Sequence, residues 1–240
     1  MSNNNKPKGK STAKTKNFLS FKSNHAVIKS NDQLSSINIA AIFIAAAWSG
    51  FFVMGIELLG GRLLSPFFGS SIFVWGGIIT VFMACLSIGY LIGGRMSKWT
   101  LSLKILGTLL FMEALFAIPI VAMGDSILEI ISFYLDDARY GSVVGSLLMF
   151  GAPTVISGMV SPYAVRLLIT DVHNSGSAAG RLYFTSTIGS AFGTILTSFY
   201  LVLYFEINTI IEIYIAISAV VGTWLLILAR PPNYKNGKNA

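Results

Sequence analysis

Residues 39–60 read IAAIFIAAAWSGFFVMGIELLG, an unbroken apolar run with a single ionisable side chain, Glu57. A helix rises 1.5 Å per residue, so about 20 such residues cross the roughly 30 Å of bilayer hydrocarbon. Five more runs of this kind follow, at 72–92, 105–123, 143–160, 182–205 and 209–229. They are continuous rather than alternating, which excludes a membrane barrel built from strands of about ten residues. The expected fold class is therefore an all-α membrane protein, a bundle of six transmembrane helices.

Composition agrees. Hydrophobic residues make up 54% of the 240 and charged residues only 11%, whereas soluble domains carry about 25% charge. The net charge of +7 does not point to nucleic acid, because seven of the lysines lie in the first 29 residues and the other basic residues stand between apolar runs. A nucleic-acid surface would gather them on one folded face. Cys85 is the only cysteine, so no disulfide framework exists. His25 and His173 stand apart in polar surroundings, and no metal site is expected.

Residues 1–36 are expected to be a disordered, basic cytoplasmic tail, too long and polar to be the start of a cleavable signal peptide. Its lysines could rest on anionic headgroups at about 1 kcal/mol each, with Phe18, Leu19 and Phe21 as shallow anchors. Residues 37–230 form the membrane domain and 231–240 a short cytoplasmic tail. With both termini inside, fifteen Lys and Arg residues fall on the cytoplasmic side and only Arg62 and Arg139 outside. That asymmetry fixes the orientation and requires an even number of spans. In the outer loop after the third span, residues 126–140 place Ile127, Ile130, Ile131 and Tyr134 at helical spacing. The pattern suits a short amphipathic helix on the outer surface, or a lid over a central cavity.

Ionisable and helix-breaking residues within the spans mark where chemistry could sit. A charge at mid-bilayer costs about 2.5–3.5 kcal/mol on insertion scales. Glu113 lies eight residues into the third span, near the middle. It must either be neutral through loss of hydration or face a polar cavity, and it serves either a ligand or an interhelical hydrogen bond. Glu57 lies five residues before Arg62, close enough for an ion pair. The following Pro66 and Gly69 should end the helix, and the serines after them can cap the next. With Trp75 as an aromatic wall, Glu57 and Arg62 form either an ordered connection or the rim of an externally open site. Gly151, Pro153, Gly158 and Pro162 should bend the fourth span. Gly189 and Gly193 allow close helix approach, within the chain or across a dimer. Arg95, Arg166 and Arg181 are candidates for binding lipid headgroups or docking a cytosolic partner. No phosphate loop, dinucleotide fingerprint or zinc-protease motif is present, so no cofactor and no catalytic residue is assigned.

Several strings together carry a resemblance. The run Gly55, Glu57, Arg62-Leu63-Leu64-Ser65-Pro66 and Phe68-Gly69-Ser70-Ser71 to Trp75 comes first. Gly89-Tyr90 with Gly93-Gly94-Arg95 follows, then Ser161-Pro162-Tyr163-Ala164-Val165-Arg166-Leu167. Last come Gly180-Arg181-Leu182-Tyr183, Thr187-Ile188-Gly189-Ser190 and Gly193-Thr194. From about 39 to 229 the chain resembles the membrane region of bacterial spermidine synthase-like membrane proteins, a major-facilitator-like region fused to a polyamine aminopropyltransferase domain. Two departures stand out. Met96, Ser97, Lys98 and Trp99 follow Arg95 where the family commonly has an Asp-Arg pair, and no methyltransferase-like domain follows Ala229.

The resemblance implies a non-catalytic subunit or anchor in the bacterial inner membrane, with the transfer chemistry on a separately encoded cytosolic synthase-like partner. The alternative is a carrier or sensor for a small molecule such as a polyamine or other cation. Six helices are few for a facilitator, so a carrier would be expected to form a homodimer of twelve. An enzyme acting through Glu113, Glu57 and Arg62 has no nucleophile or metal centre beside it.

Overall fold

A computed structural model describes residues 36–169 and 175–229. The expectations for the basic tail, for His25 and His173, and for the segment beyond Ala229 lie outside those residues. Among the described residues the chain forms six long helices and no strand. They are α1 (Ser36–Phe68), α2 (Ile72–Met96), α3 (Leu103–Tyr134), α4 (Ala138–Leu168), α5 (Ser175–Tyr204) and α6 (Ile207–Leu228). Each is long and apolar enough to cross a membrane. The chain is a multi-pass, all-helical membrane protein, as its six apolar runs require.

The helix ends have local causes. Pro66 was expected to help stop α1, but it sits in the last turn and the helix continues to Phe68. Gly69 ends it, with φ at +78° and its N–H returned to the Ser65 carbonyl at 2.9 Å, the left-handed conformation that suits glycine after a helix. Ser71 takes the N-cap position of α2, but its hydroxyl makes no capping bond. Ser102 caps α3 by accepting from the Lys104 N–H at 3.2 Å. Asp137 caps α4 by accepting from the Arg139 N–H at 2.9 Å.

Two expectations change. Residues 126–140 do not form a separate surface helix. α3 runs 32 residues through Pro119 and Gly124 to Tyr134, and after a three-residue break α4 begins at Ala138. Of the stripe, Ile131 joins the core and Ile127 is partly buried against it, whereas Ile130 and Tyr134 stay exposed, so these residues lie on a half-buried face of α3 rather than on a helix of their own. The fourth span also does not break: α4 is continuous from Ala138 to Leu168 with Pro153 and Pro162 inside it. Its glycines serve contact. At Gly158 an added Cβ would lie 2.8 Å from the Leu86 carbonyl oxygen and 3.1 Å from the Gly89 Cα, so α2 and α4 cross backbone to backbone.

Helix α1 touches all five of the others. Gly50 faces Ser186 and Ser190 of α5, Gly55 lies under the Tyr214 ring of α6, and Gly60 meets Phe150 of α4. Gly61 lies against Trp75 of α2, and Leu63 approaches Gly124 of α3. Lipid supplies no hydrophobic drive between helices, so close packing of this kind holds a membrane bundle together. The Gly189–Gly193 stripe of α5 meets the Ala47 and Phe51 backbones of α1, which assigns it to contact within the chain. Phe184, Phe192 and Phe199 of α5 are exposed.

Two alanine substitutions separate these roles. Gly193→Ala should drive its methyl into the Phe51 backbone and destabilise the protein by about 1–3 kcal/mol. Gly94→Ala enters open space in the middle of a helix turn and should be neutral or stabilising by up to about 1 kcal/mol. Thermal unfolding of both in lipid nanodiscs checks this, and equal effects would contradict the α1–α5 contact.

Candidate functional site

The polar residues inside the bundle are arranged as interhelical contacts. Glu113 of α3 is fully buried, with no exposed surface. Its Oε1 accepts a hydrogen bond from the Ser157 hydroxyl of α4, and its Oε2 has no partner. The Ser157 carbonyl in turn accepts from the Ser49 hydroxyl of α1 at 3.2 Å. One line of polar groups therefore joins α1, α4 and α3. Two further bonds tie α6 to its neighbours. Trp48 of α1 donates its indole N–H to the Ser218 hydroxyl at 2.7 Å, and the Tyr214 hydroxyl pairs with the Thr197 hydroxyl of α5. Thr197 also donates to the Gly193 carbonyl, and from Thr197 to Leu201 the helix loosens into a π turn. A side chain that bonds the backbone of the preceding turn competes with the regular helix ladder in this way.

Beside Ser157 lies a cavity of about 90 Å³ between α1, α2, α4 and α5. Its walls include the hydroxyl-bearing residues Ser49, Ser157, Ser161, Ser186, Ser190 and Tyr90. The Gly50 position keeps α1 and α5 close while leaving this space, since a Cβ there would lie 2.8 Å from the Ser190 hydroxyl.

The other sequence-predicted residues are not gathered around Glu113. Glu57 is half-buried on α1, eight residues beyond Ser49 and so about 12 Å further along the axis. The ion pair expected between Glu57 and Arg62 does not form among the described residues. Trp75 lies over Gly61, its ring filling the position a side chain would take. Arg62 is exposed and lines a cleft of about 390 Å³ with Asp125, Glu206, Asn208 and Phe205. That cleft, at the end where α1, α3 and α5 finish, was not assembled from the sequence, because Asp125 and Glu206 read there as span boundaries. Glu212, exposed on α6 in a groove with Ile118, Ala122 and Ile215, was also passed over.

At the opposite end Arg95, Arg166 and Arg181 are all exposed, together with Lys98 and Lys104. The loop between α2 and α3 is pinned by Tyr163 of α4, whose hydroxyl donates to the Thr100 carbonyl at 2.9 Å and accepts from the Ser102 N–H at 2.9 Å. Trp99 stands out from that loop, 87% exposed. Among the described residues, Asp125, Glu129, Asp136, Asp137 and Glu206 all lie toward the other end, with Arg62 and Arg139. Arg139 rests over the Phe73 ring at 4.7 Å.

A hydrated central cavity has a simple signature, because thiols exchange their proton as thiolates and need water. Cys85 is buried and free, so a Cys85→Ser background is silent. In that background, the S–H stretch of Ser161→Cys should exchange readily in D2O, and that of Leu110→Cys, in the apolar core, should not. Equal protection of both would mean a dry cavity. No family model matches this chain, and neither a curated protein nor a solved structure does.

Proposed function

We propose that this chain is a non-catalytic membrane subunit that receives a soluble, separately encoded aminopropyltransferase-like protein at its basic end. The observation that carries the reading is the segregation of charge. Arg95, Lys98, Lys104, Arg166 and Arg181 crowd one end of the bundle with no acidic residue among the described ones there. A basic end of this kind is the cytoplasmic one in inner-membrane proteins, which supports cytoplasmic termini and access for a cytosolic partner. Tyr163 holds the α2–α3 loop rigid and Trp99 projects from it. Tryptophan and arginine are the residue types enriched where binding energy concentrates at protein interfaces. The resemblance to the membrane region of spermidine synthase-like proteins supplies the partner's identity, and the rest of the reading depends on the charge.

The second reading, a carrier or sensor of small cations, draws on the outer cleft. At about 390 Å³ it reaches the size range of small-molecule sites, about 300–1,000 Å³. The serine-lined cavity at about 90 Å³ does not.

Binding of a soluble aminopropyltransferase-like protein from the same genome to the chain in lipid nanodiscs tests the first reading. Saturable binding is expected, weakened at least tenfold by Arg95→Glu combined with Arg166→Glu and weakened by rising salt. Binding indifferent to charge reversal, or none at all, would contradict it. In the same nanodiscs, a thermal shift with putrescine or spermidine that is lost in Asp125→Asn/Glu206→Gln would favour the second reading instead.

A further inference from the structure

The proposed docking reading leaves the bundle interior without a role, yet the interior holds its most costly side chain. Glu113 has no exposed surface, one carboxyl oxygen bonded to Ser157, and the other with no partner. An ionised carboxylate offers about four acceptor positions, and a buried charge without compensation is expensive. Among the described residues no arginine or lysine compensates it. Lys104 lies nine residues away on the same helix, and Arg139 and Arg166 occupy the first and last turns of α4. The other titratable groups on the packed helices are also engaged or remote. Tyr163 bonds the α2–α3 loop, Tyr214 bonds Thr197, Glu212 lies in the groove with Ile118, Glu57 and Arg62 are about two turns or more beyond Ser49, and Tyr90 is part of the wall of the serine-lined cavity itself. What Glu113 does have is Ser157, and Ser157 also forms part of the wall of the serine-lined cavity.

We infer that Glu113 is a proton-binding site that loads and unloads through water in this cavity, with the Ser157 hydroxyl as the relay. A water needs about 10–15 Å³ of such space and two to four polar partners. The cavity, at about 90 Å³ with Ser49, Ser161, Ser186 and Ser190 around it, has room for several. In the loading step a cavity hydronium gives a proton to Ser157 Oγ while the original hydroxyl proton passes to Glu113 Oε1. One proton moves inward, Ser157 is regenerated, water remains in the cavity, and no other bond changes. The added proton removes the uncompensated charge. Unloading is the reverse. The ligand class is thus the proton itself, and Ser157 is a positioning and relay group.

The test is infrared spectroscopy of the protein reconstituted in lipid, following the C=O stretch of a protonated carboxyl. The band should grow as pH falls, disappear in Glu113→Gln, and shift within seconds of transfer into D2O. Ser157→Ala should slow that isotope shift at least tenfold, while Ser218→Ala, which breaks the Trp48 bond instead, should leave it unchanged. If Glu113→Gln fails to fold, Glu113→Asp keeps the acid and should move the band rather than abolish it. A band untouched by the Glu113 variants, one that does not exchange in D2O, or an unchanged exchange rate in Ser157→Ala would each overturn the inference.

Discussion

Glu113, Ser157 and Ser49 meet inside the bundle, away from bulk water, and the positions of α1, α3 and α4 depend on that meeting. In water a serine hydroxyl without a partner costs little. In hydrocarbon each unsatisfied polar group costs several kcal/mol, so polar side chains must find one another across helices. The Ser157 hydroxyl bonds one oxygen of Glu113, and the Ser157 carbonyl accepts from Ser49. Sliding any of the three helices by one turn would separate these groups, so the polar line sets helix register. The glycine contacts between backbones restrict the same slips. The Trp48–Ser218 and Tyr214–Thr197 bonds register α6 against α1 and α5 in the same way.

Close approach of backbones makes such contacts reachable. The hydroxyls of Ser49 and Ser157 are short, so their helices must come near. Gly189 and Gly193 admit α5 to α1, and Gly89 with Gly158 admits α2 to α4. The same economy leaves the cavity, because Gly50 removes a side chain where the serines of α5 face α1. Packing and polarity are therefore joined at the centre of the bundle, while charge is sorted to its ends. Basic residues gather where α2 and α4 finish, and acids gather around Arg62 where α1 finishes.

Much of this was legible in the sequence. Apolar runs near twenty residues long need no tertiary information to be read as spans, and all six are present. Glu113 announced itself through the cost of a mid-bilayer charge. Its partner did not, because serines recur throughout the spans and only the packing of α3 on α4 selects Ser157. The outer end was misread for a similar reason. Gly124 and Asp125 look like the start of a loop, but Gly124 packs against Met149 and Leu63, and the helix continues past them. Pro66 is expected to end its helix and Pro153 and Pro162 to bend theirs, and each lies within a continuous helix. Asp125, Glu206 and Arg62 are far apart in sequence, and nothing local signals that they share a cleft.

The most direct measurement is a double-mutant cycle on Glu113 and Ser157, with unfolding free energies measured in lipid for Glu113→Leu, Ser157→Ala and the pair. Interhelical hydrogen bonds in membranes couple by about 0.6 kcal/mol on average and up to about 1.7. A bond to a buried carboxyl that sets helix register belongs at the upper end of that range, so a clearly non-additive cycle is expected. Additive losses would mean that the two side chains do not interact, and that some other contact fixes α3 against α4.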